Sequence, residues 1–363
     1  MLEFQTNNHQ KMRKSIAALL GLSFLLILGC ETPEPEPAPY IPTVQEENEE
    51  NEENEENEEK PMFMTTMTHM EGNHSDDKLE AIFLKHVDQI RYAMDLADEY
   101  EATITIESEQ PFARANSVWD LNIMGEILER EHGVGTHCDI GATELMDYED
   151  FVNELKTNKT LVDDLVGEEN NKGCSGAGGP NDWVKGMVDA GYLYIDGLVG
   201  FHLLAFDKDD RIEDWSNQYI KSGAYHYSIP QDYLARLEFT QLKDTEDWLD
   251  DGEGIVISNG EFGQLARLEE EGWEGGCASG PNTKSCPMTK EDVDVWLDIV
   301  REMDATRDHS EYAKLSLYFP ANDWEESNEE VLRYFFSEMQ ELQEQGIIQW
   351  ATQLEVVEAY LNN

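Results

Sequence analysis

Basic residues are scarce: 25 lysines and arginines stand against 78 aspartates and glutamates, and the formal net charge is −53 over 363 residues. A surface this negative repels phosphate backbones, which excludes nucleic acid as a partner, and it repels copies of itself, which favours a monomer. Phosphate-cradling glycine loops are also missing. The cluster "GAGGP" at 176–180 lacks the lysine and the spacing of a nucleotide-binding loop. The acidic run "DKDDRIED" has no EF-hand glycine, which argues against calcium there. Long apolar runs are absent but for one near the start, and cysteine is limited to five residues.

That one apolar run follows Met12-Arg13-Lys14 and reads "SIAALLGLSFLLILG", about fifteen residues ending at Cys30. A basic flank, a short apolar core and a small-residue exit describe a secretory signal; the core is short for a spanning helix. The ending Ile27-Leu28-Gly29-Cys30 resembles the lipobox of bacterial lipoproteins. That resemblance implies cleavage after residue 29, acylation of Cys30 (palmitate among the chains) and membrane anchoring in the bacterial cell envelope. Glu31, standing where an aspartate marks inner-membrane retention in enteric bacteria, favours the outer membrane. Residues 30–60 then alternate proline with acid and pass into a Glu/Asn repeat that repels itself and has nothing to bury, so they read as a disordered stalk. The leader carries +2 and the stalk −12, so −43 of the charge belongs to the remaining domain, residues 61–363. Such a surface stays soluble in salty water.

In that domain the hydrophobic period switches repeatedly between strand and helix. "MFMTTMTH", "ATITIES" and "GVGTHCDI" read as strands. Between them, "DDKLEAIFLKHVDQIRYAMDLADEY" reads as a helix capped by Asp76-Asp77, and "SVWDLNIMGEILEREH" as another. Further units follow: "NDWVKGMVDAGY" with "LYIDGLVGFHLLAF", "GIVISN" with the helix "EFGQLARLEEEGW", "EDVDVWLDIVREM" with "KLSLYFP", and a final helix before "IIQW". This alternation predicts an α/β fold, a distorted (β/α)7–8 barrel. Residues 206–250 break the pattern and are expected to pass over the barrel mouth.

Barrel chemistry sits at the carboxyl ends of the strands, and residues two apart on a strand share a face. His69 and Glu71 therefore point together, as do His137 and Asp139, with Glu107 and Glu109 on the strand between. Imidazole and carboxylate ligands suit a divalent metal, zinc above all, so the expected ligands are His69, Glu71 and His137. Glu107, Glu109 and Asp139 are the candidate proton-transfer residues. Asp196, His202 and Glu261 are secondary candidates. In an oxidising compartment four cysteines remain beside Cys30. Cys277 and Cys286 flank a turn-rich loop and are expected to pair locally, which leaves Cys138, facing away from the site, with Cys174.

The stretch "HGVGTHCDIG" is similar to the second motif of the polysaccharide deacetylase family, and "VDAGYLYIDGLVGF" after "CSG…DWV" resembles the same barrel superfamily. The resemblance covers roughly residues 62–206. It implies a (β/α)7 barrel, a metal-dependent hydrolase acting on an acetylated glycan, and a metal-binding role for His137. Two family features are absent: the first strand ends "THMEGN" where the family has paired aspartates, and Gly141 stands where the second histidine belongs. The reading is thus a lipid-anchored glycan deacetylase; the alternative is a glycan-binding lipoprotein without turnover.

Overall fold

The computed structural model describes residues 59–71, 75–250, 252–266 and 287–363. The signal segment, Cys30, the stalk, Cys277 and Cys286 lie outside the described residues.

Ten strands form one sheet among these residues: β1 (Met62–Met70), β2 (Thr105–Ser108), β3 (Gly133–His137), β4 (Gly173–Ser175), β5 (Tyr194–Asp196), β6 (Phe239–Leu242), β7 (Ile255–Ser258), β8 (Glu261–Gln264), β9 (Ala313–Tyr318) and β10 (Gln349–Trp350). Their order is β6-β7-β5-β4-β3-β2-β1-β9-β8, with β10 beside the start of β1. Every pairing is parallel except β6 with β7.

The sheet is strongly curved. β5 and β9 stand five ladder steps apart in this order, which on a flat sheet means roughly 24 Å at about 4.8 Å per strand. Yet Lys314 of β9 reaches Asp196 of β5 at 2.7 Å and the Ser258 carbonyl of β7 at 2.8 Å. The outermost parallel strands of the order, β7 (flanked by antiparallel β6) and β8, are also successive in the chain, with Asn259 and Gly260 alone between them. The Ser316 N–H of β9 donates to the Gly260 carbonyl at 2.7 Å. The link between those two strands is thus covalent rather than a strand ladder, and the fold is the α/β one that the alternation predicted, a curved parallel sheet consistent with a (β/α) barrel.

Helices α1 (Glu80–Glu99), α2 (Gln110–Val118), α3 (Ile123–Glu129), α4 (Tyr148–Val166), α5 (Trp183–Ala190), α8 (Lys290–Thr306), α9 (Glu329–Glu344) and α10 (Gln353–Leu361) join the strands, with two short helices, α6 (Asn217–Tyr219) and α7 (Tyr233–Arg236), in the long excursion. The apolar core lies outside the sheet, where Phe83, Val87, Ile90 and Met94 of α1 meet Ile104, Ile106 and the apolar faces of α8 and α9. A second cluster packs α4 and α5 behind β4 and β5. Inside the sheet a polar cluster stands beside apolar Phe63, Met67, Tyr194 and Val256. Gln353, the first residue of α10, donates to Thr65 at 3.1 Å and to Ser316 at 3.3 Å, and accepts from Lys314 at 3.1 Å. Thr352 and Glu355 cap that helix reciprocally, which fixes Gln353 at its mouth.

Four local expectations change. The predicted helix through 117–132 is two helices, because the Asn116 side chain accepts the Ile123 N–H at 2.8 Å and starts α3 afresh, while Asp120 takes φ +52° between them. Asp76 and Asp77 do not cap α1; they bind His86 at 2.6 Å and Arg114 at 2.8 Å. Glu261–Gln264, expected to open a helix, is strand β8, since its backbone completes the ladder of β9. The strand predicted from "LYIDGLVGFHLLAF" stops at Asp196 and gives way to a 3₁₀ turn over Gly200–Ala205. Short β4 carries no periodic signal and is absent from the expectation. Among the described residues no helix is long and apolar enough to cross a membrane.

Candidate metal and catalytic centre

Register builds the centre. His69 pairs with Glu107 across β1–β2, Glu107 with Gly135 across β2–β3, and His137 with Ser175 across β3–β4. Parallel strands in register carry their side chains in rows, so these four groups converge at the carboxyl end of the sheet. Cys138, one residue on, faces the other way and forms a disulfide with Cys174.

Ser175 is the hub. Its Oγ lies 2.5 Å from Glu107 Oε2, 2.8 Å from His137 Nδ1 and 3.3 Å from His69 Nε2. His69 Nε2 is itself 3.0 Å from Glu107 Oε2. The serine hydroxyl donates to Glu107, and its oxygen also meets His137 Nδ1. The other ring nitrogen of His137, Nε2, takes no part in that contact. That nitrogen faces Glu71, whose Oε2 is 3.5 Å away. Tyr318 at the end of β9 donates to the other Glu71 oxygen at 3.1 Å, and the His69 ring stacks on His137 with centroids 4.0 Å apart.

Burial separates the acids. Glu107 is 1% exposed, and burial raises its pKa to about 7 against the hydrogen bond from Ser175. Burial also raises Glu109 to about 7. Glu71 has a side chain 45% exposed; burial pushes its pKa up, but the hydrogen bond and charge of His137, with His69 and Tyr318, outweigh that and bring it to about 2. Burial lowers His69 and His226 and raises Asp139. Thus an ionised acid stands beside two that hold protons near neutrality, a pairing suited to acid–base chemistry.

Two donor sets could hold a metal ion: His69, Glu107 and His137, and Glu71, Glu109 and His137, each with ligand atoms within 4.8 Å of one another. The first set already converges on the Ser175 hydroxyl. The second offers His137 Nε2 beside the Glu71 carboxylate and fits a divalent ion with nitrogen and oxygen ligands. Of the expected residues, the structure therefore brings His69, Glu71, Glu107, Glu109 and His137 together. Asp139, in the left-handed region at φ +38°, lines the same cavity at its rim.

That cavity has a volume of about 1240 Å³, above the ~300–1,000 Å³ of ordinary small-ligand pockets. His226 and Tyr225 line it, so part of the long excursion does reach the mouth. His202 is buried, with Nδ1 on the Val199 amide at 3.0 Å. Sequence reasoning missed Ser175, His226 and Tyr318. Ser175 lay in an unrecognised three-residue strand, and His226 in a segment without periodicity. Only Tyr318 had a signal, as the last residue of "KLSLY".

No family model matches the chain, and no curated protein matches it. Among solved structures the fold is similar to that of a protein described as a polysaccharide deacetylase from Mycobacterium smegmatis, at 11% identity with a TM-score of 0.52, over 84% of this chain and 92% of that one. It is also similar to Puue allantoinase, at 10% identity with a TM-score of 0.51, over 82% and 89%. At such identities the likeness is one of fold alone, shared with both proteins.

Proposed function

We propose that this chain is a metal-dependent carbohydrate hydrolase that removes acetyl groups from a glycan. The observation that carries the reading is His137. Its Nδ1 is held by the Ser175–Glu107 pair, and its Nε2 is presented to Glu71 and Glu109 at the wall of a large cavity. Histidine ligands held on their far nitrogen by a carboxylate or hydroxyl are the usual outer support of a metal centre. Zinc, bound by Glu71, Glu109 and His137, would lower the pKa of water to about 7 and polarise the acetyl carbonyl. This differs from the expected set in placing Glu109 among the ligands and His69 behind them, bonded to Glu107.

The chain's own groups supply the rest. Asp139, at the rim beside His137, is placed to take a proton from water. Glu107, holding its proton to about pH 7, is linked through His69 and Ser175 to the site and can return one. Amide hydrolysis then balances: acetamide plus water gives ammonium plus acetate. Cys30 acylation and outer-membrane anchoring complete the reading, supported by the lipobox-like ending.

The test is to measure bound metal per full chain and acetate released from acetylated oligosaccharides, beside His137→Ala. Near-stoichiometric metal and acetate release, both lost in the variant, support the reading. Metal-free protein after loading sinks it; oligosaccharide binding without acetate release leaves a glycan-binding lipoprotein. Fatty-acid labelling of the chain and of Cys30→Ala tests the anchor.

A further inference from the structure

The opposite wall of the cavity is built from Asp196, at the end of β5, and Glu261, at the start of β8, neither used above. Asp196 is 2% exposed and lines the cavity. Its Oδ1 binds Lys314 at 2.7 Å, but its Oδ2 is buried without a hydrogen-bond partner. The Glu261 carboxylate lies beside it. A Cβ on Gly197 would fall 2.7 Å from Glu261 Oε2, and Gly197 has φ +68°. Glycine at 197 is therefore what lets the second carboxylate close over the Asp196 strand end.

The two buried cations nearby leave Asp196 Oδ2 without a bond. Lys314 is used by Asp196, the Ser258 carbonyl and Gln353. Arg236 is directed at the carbonyls of Pro230, Ser228 and Glu261. Around the cavity wall as a whole, the described residues include six acids, Glu71, Asp139, Asp196, Glu261, Asp323 and Glu325, but no arginine and one lysine. That lysine, Lys85, is tied to Glu325 at 3.1 Å. An anionic polymer, a uronate or a sulfated glycan, would find no unpaired lysine or arginine among these wall residues. A primary ammonium has three donors and no acceptor, which suits one orphaned carboxylate oxygen and a second carboxylate next to it.

We infer that the Asp196–Glu261 wall is a subsite for a primary ammonium group, and that the glycan taken by this cavity carries free amines beside acetylated ones. The inference rests on the deacetylase reading for the ligand being a glycan. Removal of an acetyl group from an acetamido sugar leaves an ammonium on that ring, so the product of one turnover becomes the recognition group for the next.

The test uses the full chain freed of metal by chelation, so that binding is read apart from turnover. The β-1,4-linked trisaccharides of glucosamine, N-acetylglucosamine and glucose are titrated calorimetrically at one pH and ionic strength. The glucosamine trimer is expected to bind at least tenfold more tightly than the glucose trimer. Glu261→Gln is expected to abolish that preference while leaving the thermal midpoint and metal uptake unchanged; a Glu261→Asp variant keeps part of it. Equal binding of the three trimers, no binding of any, or a preference that survives in Glu261→Gln overturns the inference. Metal uptake and acetate release by the loaded chain decide the deacetylase reading separately.

Discussion

The two walls of one cavity handle buried carboxylates in opposite ways. On the β5–β9 wall, Asp196 is neutralised by a fully buried lysine that also satisfies a backbone carbonyl and Gln353. On the β1–β3 wall, Glu107 is paired with no lysine or arginine among the described residues and bonds Ser175 and His69 instead. A lysine locks a charge in place, whereas imidazoles and a hydroxyl leave the charge available to a ligand. The first wall is thus fixed at its base by an ion pair, and the second is the one that holds exchangeable protons.

Substitutions that should do opposite things sharpen that contrast. Lys314→Met carries the largest expected effect. Removing one partner of a buried ion pair costs about 3–5 kcal/mol, because an uncompensated charge remains. Urea unfolding at pH 8 should show that loss, and it should shrink at pH 5.5, where Asp196, raised to about 7 by burial despite Lys314, can take up a proton. His137→Ala should leave stability within about 1 kcal/mol while metal affinity falls at least a hundredfold; a matching loss of stability would merge the two walls. Ser175→Ala should lower metal affinity about 10–100-fold, the usual effect of removing a ligand's outer support, read by competition with a chelating dye.

A smaller effect is expected from pH. Glu107, Glu109 and Asp196 ionise near 4 when unfolded but are held to about 7 in the fold, and Glu261 to about 8, in each case chiefly by burial. The folded chain therefore binds more protons between those limits, and its stability falls as pH rises from about 4.5 to 8. Glu71, lowered to about 2, acts in the opposite sense, but that contribution is lost only as pH falls through 2. Thermal midpoints of the metal-free chain in high salt, which screens surface repulsion, should drop by a few degrees between pH 5.5 and 8.5. Bound metal, which requires ionised ligands, should flatten that slope. A midpoint that rises with pH would mean these acids are already ionised in the fold.

Much of this was legible in the chain because strand and helix periods differ. Alternation set His69, Glu71, Glu107, Glu109 and His137 at neighbouring strand ends, where the structure brings them together, and faced Cys138 away; elimination among the cysteines joined it to Cys174. What alternation could not convey was short or aperiodic: β4, the strand β8 and the excursion that delivers His226. Three residues do not make a period, and the Glu261–Gln264 stretch becomes a strand only because β9 offers it a ladder.

By itself, then, the sequence determined the acidic character, the alternating architecture and the residue types at the strand ends, since each follows from local pattern and charge. The tertiary structure alone decided which histidine lies in front. Both donor triples were present in the sequence. Only register across β1, β2, β3 and β4 set the Ser175 hydroxyl among His69, Glu107 and His137, and so turned one nitrogen of His137 toward Glu71. Hydrogen-bond polarity over a few ångströms, between residues up to 106 positions apart, is a property of packing and not of sequence order.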